Sequence, residues 1–137
     1  MTIPLVLTEG TSAAQAQRIE DYKNPAIVAE GKFIYESACA SCHGADLEGQ
    51  PNWRQPGADG KLPAPPHDVS GHTWHHPDEQ LFAITKHGTA AIVAGDYKTD
   101  MRGFDYELTD AQIKAVLAYI KSSWPAEVQE RHNAMSR

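Results

Sequence analysis

Apolar residues recur at helical spacing in three stretches of the chain. The first follows Asn24-Pro25, a pair that suits a helix start because Asn can cap the helix and Pro is tolerated at its first position. Its apolar positions are Ile27, Gly31, Ile34, Tyr35 and Ala38. A glycine within a helix costs about 0.5–1 kcal/mol relative to alanine. Gly31 therefore indicates that another helix approaches closely there.

Two later stretches show the same period. Pro77 opens the second helix, which has acidic residues in its first turn and ends at Gly88. Thr109 and Gln112 form a capping box that begins the third, and Pro125 marks its end. The apolar faces are Leu81, Phe82 and Ile84 in the second helix, and Ile113, Val116, Leu117, Ile120 and Trp124 in the third.

The remaining segments lack a regular period. Residues 44–72 are rich in proline and glycine, so we expect turns and loops there. We interpret residues 1–23 as an arm or linker, residues 24–125 as the domain, and residues 126–137 as a polar tail, at most a frayed turn. No strand pattern is visible, and the sequence predicts an all-α fold.

The 137-residue chain carries a net charge of −6 and is 41% hydrophobic. The negative charge makes nucleic acid and anionic membrane surfaces poor partners, and it favours partner proteins with a basic docking surface. No run approaches the roughly 20 apolar residues of a transmembrane helix. Residues 1–8 do not form a signal peptide, so we expect one removed before this numbering, or a longer parent chain.

The two cysteines lie in the segment Cys39-Ala40-Ser41-Cys42-His43. Two thiols at this spacing can form thioether bonds to the vinyl groups of one haem, and the following histidine can bind the iron. A thioredoxin-like pair would need a βαβ context, and a zinc site would need further ligands at matching spacing. A structural disulfide is a third, less typical alternative. The segment favours one covalently attached haem c.

Further segments resemble the class I c-type cytochromes. They are Gly31-Lys32-Phe33-Ile34-Tyr35 before the cysteine motif, the proline-rich loop, Met101, and Leu117-Ala118-Tyr119-Ile120-Lys121. The resemblance covers about residues 25–124. It implies a small all-α cytochrome c fold, with three main helices and long loops around the haem. Gly31 and Tyr35 would meet Val116 and Tyr119 where the first and last helices cross.

The segment Met101-Arg102-Gly103-Phe104 is similar to the Met-x-x-Phe ligand loop of that family. Many members have proline after the methionine, so Arg102 is a departure. The resemblance makes Met101 the sixth iron ligand, opposite His43. The alternatives are a methionine that fills a core gap and a bis-histidine haem.

The same resemblance implies roles near the haem. The second ring nitrogen of His43 should donate to a backbone carbonyl, with Pro65, then Pro66, the best candidate. The indole N–H of Trp74 could bind a propionate, or Trp74 could be an ordinary half-buried aromatic residue. Arg54, Lys61 and Lys98 could neutralise propionates or remain solvated. The stretch containing His72, His75 and His76 could hold a second metal, but no carboxylate or cysteine lies at a familiar ligand spacing beside it. This favours a helix cap at His76 and surface or haem-edge positions for the other two.

These observations favour a one-electron carrier that serves redox partner proteins rather than an enzyme. Covalent attachment of this kind implies a periplasmic location. The competing hypotheses are a haem enzyme or ligand-binding protein with an open sixth site, the electron-entry domain of a larger oxidoreductase, and a zinc or copper protein without haem.

Overall fold

The computed structural model describes residues 17–93 and 95–136. It contains six α-helices: α1 (Pro25–Ala38), α2 (Ala40–His43), α3 (Asp78–His87), α4 (Thr89–Ile92), α5 (Asp110–Ser122) and α6 (Ala126–Met135). A 3₁₀ helix spans Thr73–His75. The described ranges contain no strand, only an isolated antiparallel bridge between Gly88 and Arg102. The all-α prediction is confirmed.

Helices α1 and α5 begin at the caps that the sequence predicts. The Asn24 side chain accepts a hydrogen bond of 3.1 Å from the backbone N–H of Ala26. At α5, the Gln112 backbone donates to Thr109 Oγ1 over 3.2 Å, and the Gln112 side chain accepts from the Thr109 backbone over 2.9 Å. Both caps satisfy N–H groups that helix starts leave without partners.

The crossing of α1 and α5 forms the centre of the core. A Cβ added at Gly31 would lie 2.0 Å from the Ala115 carbonyl oxygen and 2.9 Å from Tyr119 Cβ, so only glycine fits without displacement. The rings of Tyr35 and Tyr119 lie 5.5 Å apart. The predicted close approach of the two helices at Gly31 is confirmed, and it holds the start of the cysteine motif against the core.

Residues 126–136 differ from the predicted polar tail. Residues 126–135 form a complete helix, α6, whose Val128 and His132 are buried. His132 is fully enclosed and packs edge-on against Trp124, with ring centroids 5.1 Å apart. The structure therefore has four helices of ten or more residues rather than three.

The end of the predicted arm also packs against the domain. Residues 1–16 of that arm lie outside the described residues. Ile19 is buried, and its backbone N–H donates to Asp78 Oδ2 over 3.1 Å. The Tyr22 hydroxyl accepts a hydrogen bond of 3.0 Å from Asn133 Nδ2. These contacts join the residues before α1 to α3 and α6.

Candidate haem-binding site

The two cysteines lie where α1 ends and α2 begins. The backbone N–H of Cys39 still donates to the Tyr35 carbonyl, while Cys42 lies in α2, so the end of α1 positions both thiols. Both are free; Cys39 is half-buried and Cys42 exposed. Burial, and next the neighbouring Cys42, raise the pKa of Cys39 to about 11. This thiol is protonated at neutral pH, which disfavours a thiolate redox pair or a thiolate metal site.

His43 ends α2 with its side chain buried. Its Nδ1 lies 2.8 Å from the Pro65 carbonyl oxygen, which can only accept, so Nδ1 carries the proton. Burial lowers the pKa of His43 despite this hydrogen bond, and the ring is neutral at neutral pH. Nε2 is left with its lone pair, as an iron ligand requires. The structure thus brings His43 Nδ1 to the carbonyl of Pro65, which was the first of the two acceptors suggested from the sequence, ahead of Pro66.

The loop after α2 reaches Pro65 through a close backbone contact. The Gly49 N–H donates to the His43 carbonyl oxygen over 2.7 Å. A Cβ at Gly49, which has a φ of +70°, would lie only 2.5 Å from the nitrogen of Pro66. Glycine is therefore needed where the two loop segments cross beneath His43.

His67 lies against His43, a contact that the sequence did not predict. Its ring faces that of His43, with centroids 4.0 Å apart and planes inclined by 32°. Desolvation, and next the neighbouring His43, lower the pKa of His67 well below its usual value, so it is neutral. The only signal in the sequence was its place two residues after Pro65.

Met101 lies in the loop between α4 and α5 and is half-buried. Its backbone N–H donates to Thr99 Oγ1 over 3.0 Å, and its carbonyl accepts from the Thr89 N–H over 3.3 Å. The bridge between Gly88 and Arg102 ties the next residue to the end of α3. The backbone around Met101 is therefore held on both sides.

Comparison with known proteins decides the family. The sequence model of the family described as Cytochrome c matches residues 28–124, which is more than half of the chain. The chain belongs to the cytochrome c family. No significant match was found among curated proteins or among solved structures. This cytochrome binds one haem c covalently, and Cys39 and Cys42 have the spacing of the attachment motif.

The described residues of the cytochrome fit such a group. His43 has an unprotonated Nε2 and follows directly after the segment with the two thiols. The end of α4 and the loops on either side of α3 and α4 also leave large apolar side chains exposed: Leu62, Val69, Ile92, Val93 and Tyr97. Burial of exposed apolar side chains under a large apolar group is favourable, because it removes their surface from water. Both the donor set and these loops suit a haem.

Other residues named from the sequence have protein partners. The Trp74 indole N–H donates to the Val69 carbonyl over 3.0 Å, so a bond to a propionate would have to replace this one. Lys61 pairs with Asp100 at 2.7 Å. Arg54 lies over the Trp53 ring at 4.8 Å.

The histidine stretch has no third ligand for a metal. His72 and His75 are exposed, with ring centroids 5.3 Å apart and planes nearly perpendicular. His76 Nδ1 and Gln80 Oε1 lie 3.3 Å apart. Within residues 17–93 and 95–136, no group of three or more His, Cys, Asp or Glu side chains is arranged to hold a metal ion.

Proposed function

We propose that this cytochrome is a one-electron carrier of the class I type, in which His43 and Met101 occupy the two axial positions of its iron. The observation that carries the proposal is the protonation state of His43. Its Nδ1–H donates to the Pro65 carbonyl, which leaves the Nε2 lone pair for the iron, and His43 follows Cys42 directly in the chain. The haem supplies a single-electron ferric/ferrous couple when bound.

The chain supports this role by holding both ligand loops rigidly. On one side, the Pro65 carbonyl oxygen holds Nδ1 of His43 at 2.8 Å. On the other, the Phe104 N–H donates to the Thr85 carbonyl over 3.0 Å, so the segment after Met101 is anchored to α3. Ligands that stay in place when the iron changes charge keep the reorganisation energy of electron transfer small. The exposed Cys42 indicates the side from which a partner would approach the haem edge.

Substitution of Met101 tests the ligand set. Absorption spectra of both redox states, including the near-infrared sulfur-to-iron band of the ferric form, should be recorded for the wild type, Met101→Ala and Met101→His. We expect the band in the wild type and its loss in both variants, with a lower reduction potential for Met101→His because a second imidazole favours ferric iron more than a thioether does. Met135→Leu is the matched control, since Met135 is exposed on α6.

The same variants distinguish an electron carrier from a haem protein whose sixth iron position is open. Rapid binding of carbon monoxide to the wild-type ferrous form would contradict a Met101 ligand and favour a ligand-binding or enzymatic role. We expect rapid binding only in Met101→Ala, where the sixth position is vacated.

We further propose a periplasmic location and redox partners with a basic docking surface. The net charge of −6 would steer such partners toward the protein. No helix in the described part of the chain is long and apolar enough to cross a membrane. Oxidation by a cationic metal complex should slow as ionic strength rises, whereas a rate that rises with salt would contradict the charge argument. Fractionation of the native host cells tests the location.

A further inference from the structure

We propose that His67 is a positioning residue for the axial histidine: its ring packs against the face of His43 and fixes the plane of that imidazole relative to the haem. This rests on His43 binding the iron, as proposed above, and does not depend on Met101. The two ring centroids are 4.0 Å apart, which is van der Waals contact between their faces.

The hydrogen bond to Pro65 cannot fix the plane of His43 by itself. It holds one ring atom, Nδ1, at 2.8 Å from the carbonyl oxygen. The ring can still rock by a small angle about its Cβ–Cγ bond, because a single hydrogen bond tolerates a range of distances and angles. A second ring pressed against its face opposes this rocking, because rocking toward His67 would bring ring atoms into overlap.

His67 can act as such a support because it is itself held at several points. Its Nδ1 and the Thr73 hydroxyl oxygen share a hydrogen bond of 2.7 Å. Its backbone N–H donates to the Leu47 carbonyl over 2.9 Å, and its carbonyl accepts from the Trp124 indole N–H over 2.9 Å. Thr73, Leu47 and Trp124 are all buried.

One short segment therefore supplies both constraints on His43. Pro65 provides the carbonyl and His67 the ring, and the residue between them is a buried proline with a fixed φ. A Cβ at Gly71 would lie 2.1 Å from the Pro66 carbonyl oxygen, so the chain packs tightly behind this segment. The hydrogen bond and the stacked ring should consequently move together.

The plane of an axial imidazole determines how the unpaired electron of low-spin ferric haem is distributed. The test measures this distribution in the haem-loaded protein, by the g values in electron paramagnetic resonance and the spread of the haem methyl proton shifts. We expect His67→Ala to change the g values and the methyl pattern, while the near-infrared band stays. His67→Phe should restore a pattern close to wild type, because a phenyl ring keeps the face contact.

His87→Ala is the matched control, since His87 is an exposed histidine at the end of α3. A folded His67→Ala protein with the wild-type methyl pattern would overturn the proposal. If that variant does not fold, Thr73→Val takes its place. It removes the hydrogen bond that orients His67 and should shift the pattern in the same direction by a smaller amount, whereas an unshifted pattern would equally overturn the proposal.

The outcomes also distinguish this proposal from the ligand proposal. Suppose that the wild type lacks the near-infrared band but its methyl pattern changes in His67→Ala. This would refute Met101 as the iron ligand and support His67 as the positioning residue. If the wild type shows the band but its methyl pattern is unchanged in His67→Ala, the Met101 ligand would be supported and the positioning role of His67 refuted.

Discussion

The close contact at Gly31 allows the cost of one added methyl group to be worked out. In Gly31→Ala the new Cβ would lie 2.0 Å from the Ala115 carbonyl oxygen, and ordinary contact begins at 3.4 Å, so α1 and α5 would have to separate by about 1.4 Å there. The obstacle is backbone, which cannot rotate away as a side chain can. Overpacking of this kind costs about 1–3 kcal/mol and occasionally more.

Helix propensity acts in the opposite direction. Alanine is favoured over glycine within a helix by about 0.5–1 kcal/mol. We therefore expect Gly31→Ala to lower the free energy of unfolding by about 1 kcal/mol, measured by urea denaturation of the haem-loaded protein with circular dichroism as the signal. The matched control is Ala29→Gly, an exposed position on the same helix, which should lose only the propensity difference.

The two variants separate packing from propensity. If helix propensity alone decided the result, Gly31→Ala would raise the free energy of unfolding by as much as Ala29→Gly lowers it. A Gly31→Ala protein as stable as the wild type would refute the close helix contact.

Two further predictions concern buried polar groups. The hydroxyl of the fully buried Tyr35 donates to the Gly44 carbonyl over 2.7 Å, so Tyr35→Phe should cost about 1 kcal/mol of unfolding free energy in urea; an unchanged value would contradict a structural role for this bond. Burial, and next the Lys121 ammonium, lower the pKa of His132 despite Asp78. The unfolded state then binds the proton more readily, so stability should fall as pH drops below about 6.5, by up to about 1.4 kcal/mol per pH unit per proton. The slope should be smaller in His132→Gln; stability that rises instead would show that Asp78 holds a proton on His132.

The sequence alone predicts the structural features that depend on residues close together in the chain. The Asn24 and Thr109 caps, and the glycine end of α3, follow from residues within one helical turn. The haem motif is equally local, since five consecutive residues contain it. The close helix contact at Gly31 could be predicted because a glycine within a helix destabilises it relative to alanine and so needs a structural reason.

The missed features depend on contacts between distant residues. Helix α6 has only two buried side chains, Val128 and His132, so its sequence has little apolar periodicity. His132 can be buried because its Nε2 lies 2.7 Å from the His76 carbonyl oxygen, 56 positions away. The packing of His67 likewise depends on Leu47 and Trp124, which the sequence does not mark as its neighbours.

These distant contacts meet at the loop that contains His67, whose ring lies against that of His43. The Trp124 indole N–H donates to the His67 carbonyl, and His132 of α6 packs edge-on against the Trp124 ring. The family match ends at residue 124, yet α6 begins at Ala126 and completes this packing. A force on His43 that moves the loop carrying Pro65 and His67 must therefore also disturb the end of α5 and the buried face of α6. The part of the chain beyond the family match thus packs against the loop whose rigidity the proposed electron-transfer function requires.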